Sequence, residues 1–406
     1  MELSKISIRS VKFEPIITSV IWILSSSSYP FFLSVKEMHS SSTLVACQAL
    51  VSQGSSCTIT YLYTHRYYIV MKIQAYAALE PNGKLETFEY ELGSLKPDEV
   101  EINVEYCGIC HSDLHMLKNE WGFTRYPFVP GHEIIGKVTA IGNTVSHLEL
   151  GQYVGLGWRS RSCLVCDQCL SGHHNRCLKG QDVIVGRHGG YANKVRCQAI
   201  WAFPLPKNIN IKSAGPLFCG GITVFNPIIQ NNIKSTDHVA VVGIGGLGHM
   251  AIKFLNSWGC EVTAMSTNPE KEREAQQFGA DHFLNSRNPD ALKPYANRFD
   301  MILVTANVDL EWDSYIRTLR PGGKLHIVGA ASQVKATVFP LISGEKSIGG
   351  SPIGGPADIL KMLDFCNRHG IEPVIEEFPI SRVNEAMAHL ESGKARYRIV
   401  LRNDFK

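Results

Sequence analysis

From Met71 onward, apolar and polar residues alternate over short stretches, the pattern of half-buried β-strands. The segment "YAALEPNGKLETFEY" predicts a hairpin, with Asn82-Gly83 as a two-residue type I′ turn. In "EINVEY", Ile102, Val104 and Tyr106 share one face, and "EIIGKVTAIG" and "GQYVGLG" read as further strands. Residues 71–221 therefore predict a mainly β region with long loops. The pattern changes near Thr236. "HVAVVG" is a continuous apolar run, as expected of a parallel strand covered on both faces. A helix carrying Met250, Ala251, Phe254, Leu255 and Trp258 follows, and Gly259 closes it. Strand "EVTAM", helix "PEKEREAQQF" and strands "FDMILVTA" and "KLHIVGA" continue the alternation, with Pro269 and Gly279 marking the second helix's ends. Strand alternating with helix predicts an α/β fold with an open parallel sheet over 222–350. Residues 351–406 read as two amphipathic helices, "ADILKMLDFCNRHG" and "VNEAMAHLESG", and a last strand "YRIVLR"; there is no internal repeat.

The first 70 residues lack this regularity. They are rich in serine, and Glu2, Glu14 and Glu37 are their only acids. "MELSKISIRSVKFE" followed by "IITSVIWIL" has the outline of a targeting segment. The apolar stretch is too short for a membrane span, which takes roughly 20 residues. The competing expectation is that translation starts at Met71. On either reading, 1–70 is an extension outside the fold prediction.

Composition narrows the class. The 406 residues are 44% hydrophobic and 19% charged, which suits a globular chain of two or three domains. A net charge of +3 without a long basic run argues against a nucleic-acid partner, and nothing points to a membrane partner. The 12 cysteines are clustered, which points to metal ligation in a reducing, cytoplasmic setting rather than a disulfide framework.

"VVGIGGLG" places Gly243, Gly245 and Gly248 as G-x-G-x-x-G between a strand and a helix, with Gly246 and Leu247 completing the turn. Such a turn brings backbone N–H groups and a helix N-terminus against a pyrophosphate. The next strand then selects the dinucleotide. Where an NAD site carries an acid, this chain has Ser266, followed by Thr267, Asn268 and Lys271. Hydroxyls and an ammonium favour a 2′-phosphate that a carboxylate would repel, so the expectation is NADP(H). The bland alternative is that Ser266 and Asn268 only cap the following helix.

Two cysteine sets stand apart. "CLVCDQCLSGHHNRC" gives Cys163, Cys166, Cys169 and Cys177, four thiols within one short lobe. Four protein ligands close a zinc site, so this one is structural and staples its lobe. The second set is dispersed. "CGICHSDLH" holds Cys107, Cys110, His111, Ser112, Asp113 and His115; "PGHEIIG" holds His132 and Glu133; "FCGGIT" holds Cys219. Cys107 reads as a small buried residue, and the "CGIC" pair leaves a redox alternative open.

The stretches "EYCGICHSDLHMLKNEWGF", "GHEIIGKV", "SAGPLFCGGITVF", "VVGIGGLGHMAIK" and "GKARYRIVL" together resemble the zinc-dependent medium-chain alcohol dehydrogenases. The likeness covers Met71–Lys406 and is strongest to the cinnamyl-alcohol dehydrogenases and bacterial NADPH-dependent, broad-specificity aldehyde reductases. It implies a GroES-like, β-rich catalytic domain over 71–221 and 351–406 around a Rossmann domain, with the active site between them. Cys110, His132 and Cys219 become catalytic zinc ligands; this Cys2His set, of which alcohol dehydrogenases are the type example, comes with the resemblance. Glu133 becomes a carboxylate able to exchange onto the metal, and Asp113 the acid that orients His132. Two zincs per chain and NADP(H) follow. So does an aldehyde or alcohol as small-molecule substrate. Ser112 would hand a proton to the product, fed through the cofactor ribose from His115. His111 and Arg398 would touch the pyrophosphate, Thr223 the nicotinamide, and Trp121 and Trp158 the substrate. The resemblance also implies a homodimer through the nucleotide domains. Two rival readings remain: a zinc-free quinone or enoyl reductase, which the ligand set disfavours, and a zinc-bearing binding protein that kept the fold.

Overall fold

The computed structural model describes residues 72–405 and, ahead of them, three short strands, Ile8–Arg9, Ile21–Ile23 and Phe32–Leu33, paired antiparallel in that order. These strands apart, the residues behind the targeting and start-site expectations for 1–70 lie outside those described.

Strands β1 (Lys72–Ala77) and β2 (Glu86–Glu91) pair antiparallel with Ala77 opposite Glu86. The predicted hairpin therefore forms, but its two-residue turn does not. Ala78 leaves the ladder to exchange hydrogen bonds with Phe128 at 2.9 and 2.8 Å, so the connection lengthens. Asn82-Gly83 instead sits in a separate turn, where the Gly83 N–H donates to the Glu80 carbonyl at 3.0 Å.

A seven-stranded sheet begins with β3 (Glu99–Ile109), β4 (Ile134–Ile141), β5 (Tyr153–Leu156), β6 (Lys194–Gln198) and β7 (Phe203–Pro204). Ile102 and Val104 of β3 are buried, as their alternation predicts. A second sheet is parallel throughout: β8 (His238–Val242), β9 (Glu261–Ser266), β10 (His282–Asn285), β11 (Phe299–Val304), β12 (Leu319–Ile327) and β13 (Ser347–Gly350). Its spatial order is β10-β9-β8-β11-β12-β13. The order reverses between β8 and β11, the crevice where such sheets bind ligands beyond their carboxyl ends. Val239, Ala240 and Val241 are fully buried, each of the two valines contributing on the order of 1.5–3 kcal/mol.

The chain then returns to the first sheet. Strands β14 (Ile375–Pro379) and β15 (Arg398–Arg402) pair parallel, and β15 lies antiparallel to β3. Strand β14 was not foreseen, because its half-buried residues blur the alternation. Among the described residues no helix is long and apolar enough to cross a membrane.

Candidate active site

Strand β3 delivers Cys110 to the N-terminus of helix α1 (His111–Leu117). Asp113, at the third helical position and wholly buried, accepts from the Cys110 N–H at 2.9 Å. Its other oxygen accepts from the Gly131 N–H at 2.8 Å and lies 3.0 Å from His132 Nδ1. One carboxylate thus anchors the helix start and the loop before β4, and turns His132 Nε2 toward Cys219, 3.3 Å away. Cys219 stands at the N-terminus of helix α2 (Gly220–Gln230), with its sulfur 3.8 Å from Cys110 Sγ.

These distances test the site for zinc. Zn–S bonds of about 2.3 Å in a tetrahedron set sulfurs about 3.8 Å apart, as found here. The ligand atoms of Cys110, His132, Glu133 and Cys219 all lie within 4.8 Å of one another. The donor set fits zinc. Hydrogen bonding from Cys219, with His132 and Arg398 nearby, holds the Cys110 thiol well below its ordinary range despite burial. Glu133 is wholly buried; Oε1 accepts from Arg398, while Oε2 has no hydrogen-bond partner. A Cβ on Gly108 would stand 2.0 Å from Glu133 Oε2, so only glycine leaves room there.

Cys163, Cys166, Cys169 and Cys177 form a separate cluster with the same 4.8 Å limit. Sulfur separations of 3.9 Å between Cys163 and Cys169, and between Cys166 and Cys177, also suit a tetrahedral ion. Backbone N–H groups of Val165 and Cys166 hold the Cys163 thiol down, to about 6. The ten described cysteines are all free of disulfides. Cys107 is buried, and its thiol is pushed up by burial.

The glycine turn joins β8 to helix α3 (Gly248–Trp258). Gly243 has φ +93°, which favours glycine, and a Cβ on Gly248 would stand 1.8 Å from the Gly243 carbonyl. At Gly245 a Cβ would meet nothing within 4 Å. Arg398 ties this turn to the metal cluster: a Cβ on Gly246 would stand 2.9 Å from its Nη1, and Leu247 packs beside Gly220. At the end of β9, Ser266 Oγ accepts from the Asn268 N–H at 3.1 Å, and Asn268 caps the next turn through the Glu270 N–H at 3.0 Å. Thr267 is exposed, and Lys271 donates to the Ile244 carbonyl inside the glycine turn. Capping and nearness to the turn therefore coexist. Thr223 lies one turn into α2, its N–H on the Cys219 carbonyl.

Ser112 Oγ is 3.7 Å from Cys110 Sγ. His111 is exposed at the start of α1, its ring centroid 6.4 Å from that of His115. His115 Nδ1 pairs with Glu120, and its buried Nε2 lacks a protein partner. Glu120 was missed by sequence reasoning, because its five-residue offset from His115 matches no helical period. Asn119, with φ 54°, turns the chain just before Glu120, which then meets His115. Trp158 stands edge-on to His132 at 4.9 Å and to Trp121 at 6.2 Å, while Trp121 stacks on His115 at 5.5 Å. Both tryptophans thus flank the metal cluster, and Phe123, stacked on Trp121, extends the wall.

Comparison with known proteins places these motifs. The alcohol dehydrogenase GroES-like domain matches residues 96–207, and the zinc-binding dehydrogenase domain matches residues 246–368. The aldehyde reductase AdhA of Synechocystis is 53% identical over 330 residues, covering 81% of this chain and 98% of that protein. A cinnamyl alcohol dehydrogenase from Sorghum bicolor superposes with a TM-score of 0.78 at 34% identity, over 82% of this chain and 98% of that one. The Helicobacter pylori cinnamyl alcohol dehydrogenase, solved with NADP(H), gives 0.75 at 29% identity with the same coverage.

Proposed function

The chain belongs to the zinc-dependent medium-chain alcohol dehydrogenases, in the branch of the cinnamyl alcohol dehydrogenases and aldehyde reductases, and from that premise we propose that it reduces aldehydes to primary alcohols with NADPH. The alcohol–aldehyde reaction is the family's and is reversible. The observation that carries the reading is the Cys110–His132–Cys219 cluster, oriented by Asp113 and tied to the glycine turn through Arg398. In this reading the catalytic domain spans 71–221 and 351–406, and the dinucleotide domain 222–350.

Cys110, His132 and Cys219 would hold the catalytic zinc, with Glu133 able to exchange onto it; Cys163, Cys166, Cys169 and Cys177 would hold a second, structural zinc. When bound, zinc supplies Lewis acidity at the aldehyde oxygen and the nicotinamide supplies hydride. The rest falls to the chain. Ser112 donates a proton to the product oxygen, and His115 restores it. Glu120, held below the usual carboxylate range by its bond to His115, fixes the imidazole so that Nε2 faces inward. His111, Arg398, Gly243, Gly245, Gly246, Leu247 and Gly248 receive the pyrophosphate, and Thr223 lies against the nicotinamide. Trp121 and Trp158 give a flat wall that suits a planar, unsaturated aldehyde.

The absence of an acid at the end of β9, with Ser266, Thr267, Asn268 and Lys271 in its place, supports NADP over NAD. The relative from Helicobacter pylori was solved with NADP(H), which agrees. Among the described residues strand β13 has no partner on its outer side, and Val338, Phe339 and Ile342, in the helix that precedes it in the chain, are exposed. Both features support a homodimer formed through this sheet. The free thiols suit a reducing cytoplasm.

The test is aldehyde-dependent oxidation of NADPH against NADH at equal concentration, with zinc content measured on the same protein. The expected result is turnover with NADPH well above NADH and two zincs per chain. Faster turnover with NADH would overturn the cofactor assignment; zinc-loaded protein without turnover would make it a binding protein.

A further inference from the structure

Lys271 does not stand alone at the adenosine end of the glycine turn. Tyr397, in the segment that leads into β15, is held there from two sides. Its ring stacks on His249 at 4.9 Å and 22°, and His249 Nδ1 lies 3.2 Å from the Gly245 carbonyl. Its hydroxyl donates to Glu274, on the helix Glu272–Gln277 that directly follows Lys271. Two cations converge on this one ring: Lys271 Nζ at 5.4 Å and the Arg396 guanidinium carbon at 5.9 Å from its centroid. Arg396 and Arg398 differ sharply. Arg398 is buried and engaged by Glu133, whereas the Arg396 side chain is 45% exposed. The Arg396 guanidinium reaches the Lys394 and Ala395 carbonyls at 3.4 Å and Glu274 at 3.8 Å, all long contacts. Its backbone N–H, not its side chain, is what Glu376 accepts from. Burial and then Arg396 push the Lys271 ammonium down, as expected of two like charges set close together. Glu274 offsets only one of them.

We infer that Arg396 is a specificity-determining residue of the dinucleotide site: with Lys271 it grips the 2′-phosphate of the adenosine ribose, supplied from a segment 125 positions beyond Lys271. The inference rests on the NADPH reading. A phosphomonoester carries nearly two charges near neutrality and offers three acceptor oxygens, so it can take a guanidinium fork and an ammonium together. Ser266 and Thr267 complete the cradle from the end of β9, where a carboxylate would repel the same group.

The test is calorimetric titration of the full chain with 2′,5′-ADP and with 5′-AMP, which differ only in the 2′-phosphate and need no turnover. In Arg396→Ala the affinity for 2′,5′-ADP falls about tenfold or more, the loss of one charge-assisted contact. Affinity for 5′-AMP stays within about twofold, which also reports that the site is folded, and Arg396→Lys recovers part of the loss. Retention of the 2′,5′-ADP preference in Arg396→Ala would overturn the assignment and leave the NADPH reading standing. Equal weakening of both ligands would overturn it too, because Arg396 would then only support the fold. If the unaltered chain shows no preference for 2′,5′-ADP, the NADPH reading fails and takes Arg396 with it.

Discussion

Asp113→Asn is the sharpest perturbation of the metal site, because one buried carboxylate receives three contacts. It accepts from the Cys110 N–H at 2.9 Å and the Gly131 N–H at 2.8 Å, and faces His132 Nδ1 at 3.0 Å. An asparagine can keep its amide oxygen toward Gly131 and His132, but its NH2 then faces the Cys110 N–H, donor against donor. The reverse orientation leaves two such clashes. An orphaned buried donor costs about 1–3 kcal/mol, and each charge-assisted contact made neutral loses about 1 kcal/mol more. The expected destabilisation is about 3–5 kcal/mol, or a fall in Tm of roughly 4–7 °C for a chain of this size. Losing the carboxylate behind a ligating histidine also weakens metal binding by about 10–100-fold. The assay is competition with a graded chelator followed by elemental analysis. The Cys163–Cys177 cluster makes no use of Asp113 and serves as internal control: one zinc should leave early and one should stay. An Asp113→Asn protein that keeps both zincs as tightly as the unaltered chain and melts within 1 °C of it would refute this account of how His132 is held.

Other outcomes follow from the same geometry. Ser112→Ala lowers kcat by about 10²–10⁴, and Glu120→Gln by roughly tenfold, with zinc content unchanged; steady-state rates beside metal analysis check this. Gly248→Ala drives a Cβ to 1.8 Å from the Gly243 carbonyl, a strain of about 1–3 kcal/mol, so dinucleotide affinity falls by about 10–100-fold in a fluorescence titration while zinc stays bound. Glu101 is buried, which raises its pKa, but Lys194 and Arg196 outweigh burial and hold it below the ordinary 4.5. A depressed folded pKa contributes stability above 4.5 that disappears as pH falls through the folded value. Glu101→Gln should therefore be less stable than the unaltered chain at pH 7, by about 1–3 kcal/mol, with the gap closing as pH falls below 4.5 through the folded value. A gap that does not change with pH would exclude that linkage.

Much of this protein was legible along the chain because its signals are local. The glycine turn declares itself between "HVAVVG" and a helix because steric demands at Gly243 and Gly248 fall within six residues. The four cysteines of the closed cluster lie within one lobe, so their spacing alone predicts a shared metal. Strands β8 and β11, central in the parallel sheet, announced themselves through apolar runs, a direct consequence of cover on both faces, whereas the half-exposed edge strands β10 and β13 gave no such signal. The Asn82-Gly83 turn misled, since a dipeptide's preference cannot anticipate that Ala78 would pair with Phe128. The dispersed metal set was legible only through resemblance: Cys110, His132 and Cys219 share no spacing that geometry could read.

The sequence by itself thus determined most of the elements, the four-cysteine cluster and the glycine turn. Tertiary structure alone decided which distant residues meet. It brought Glu133, Arg398 and Gly246 into one line from metal cluster to nucleotide turn, returned Glu120 to His115, and set Arg396 beside Lys271. The reason is physical. Turn geometry and burial periodicity act over a few residues, whereas a buried charge must find its partner wherever the packed chain delivers one.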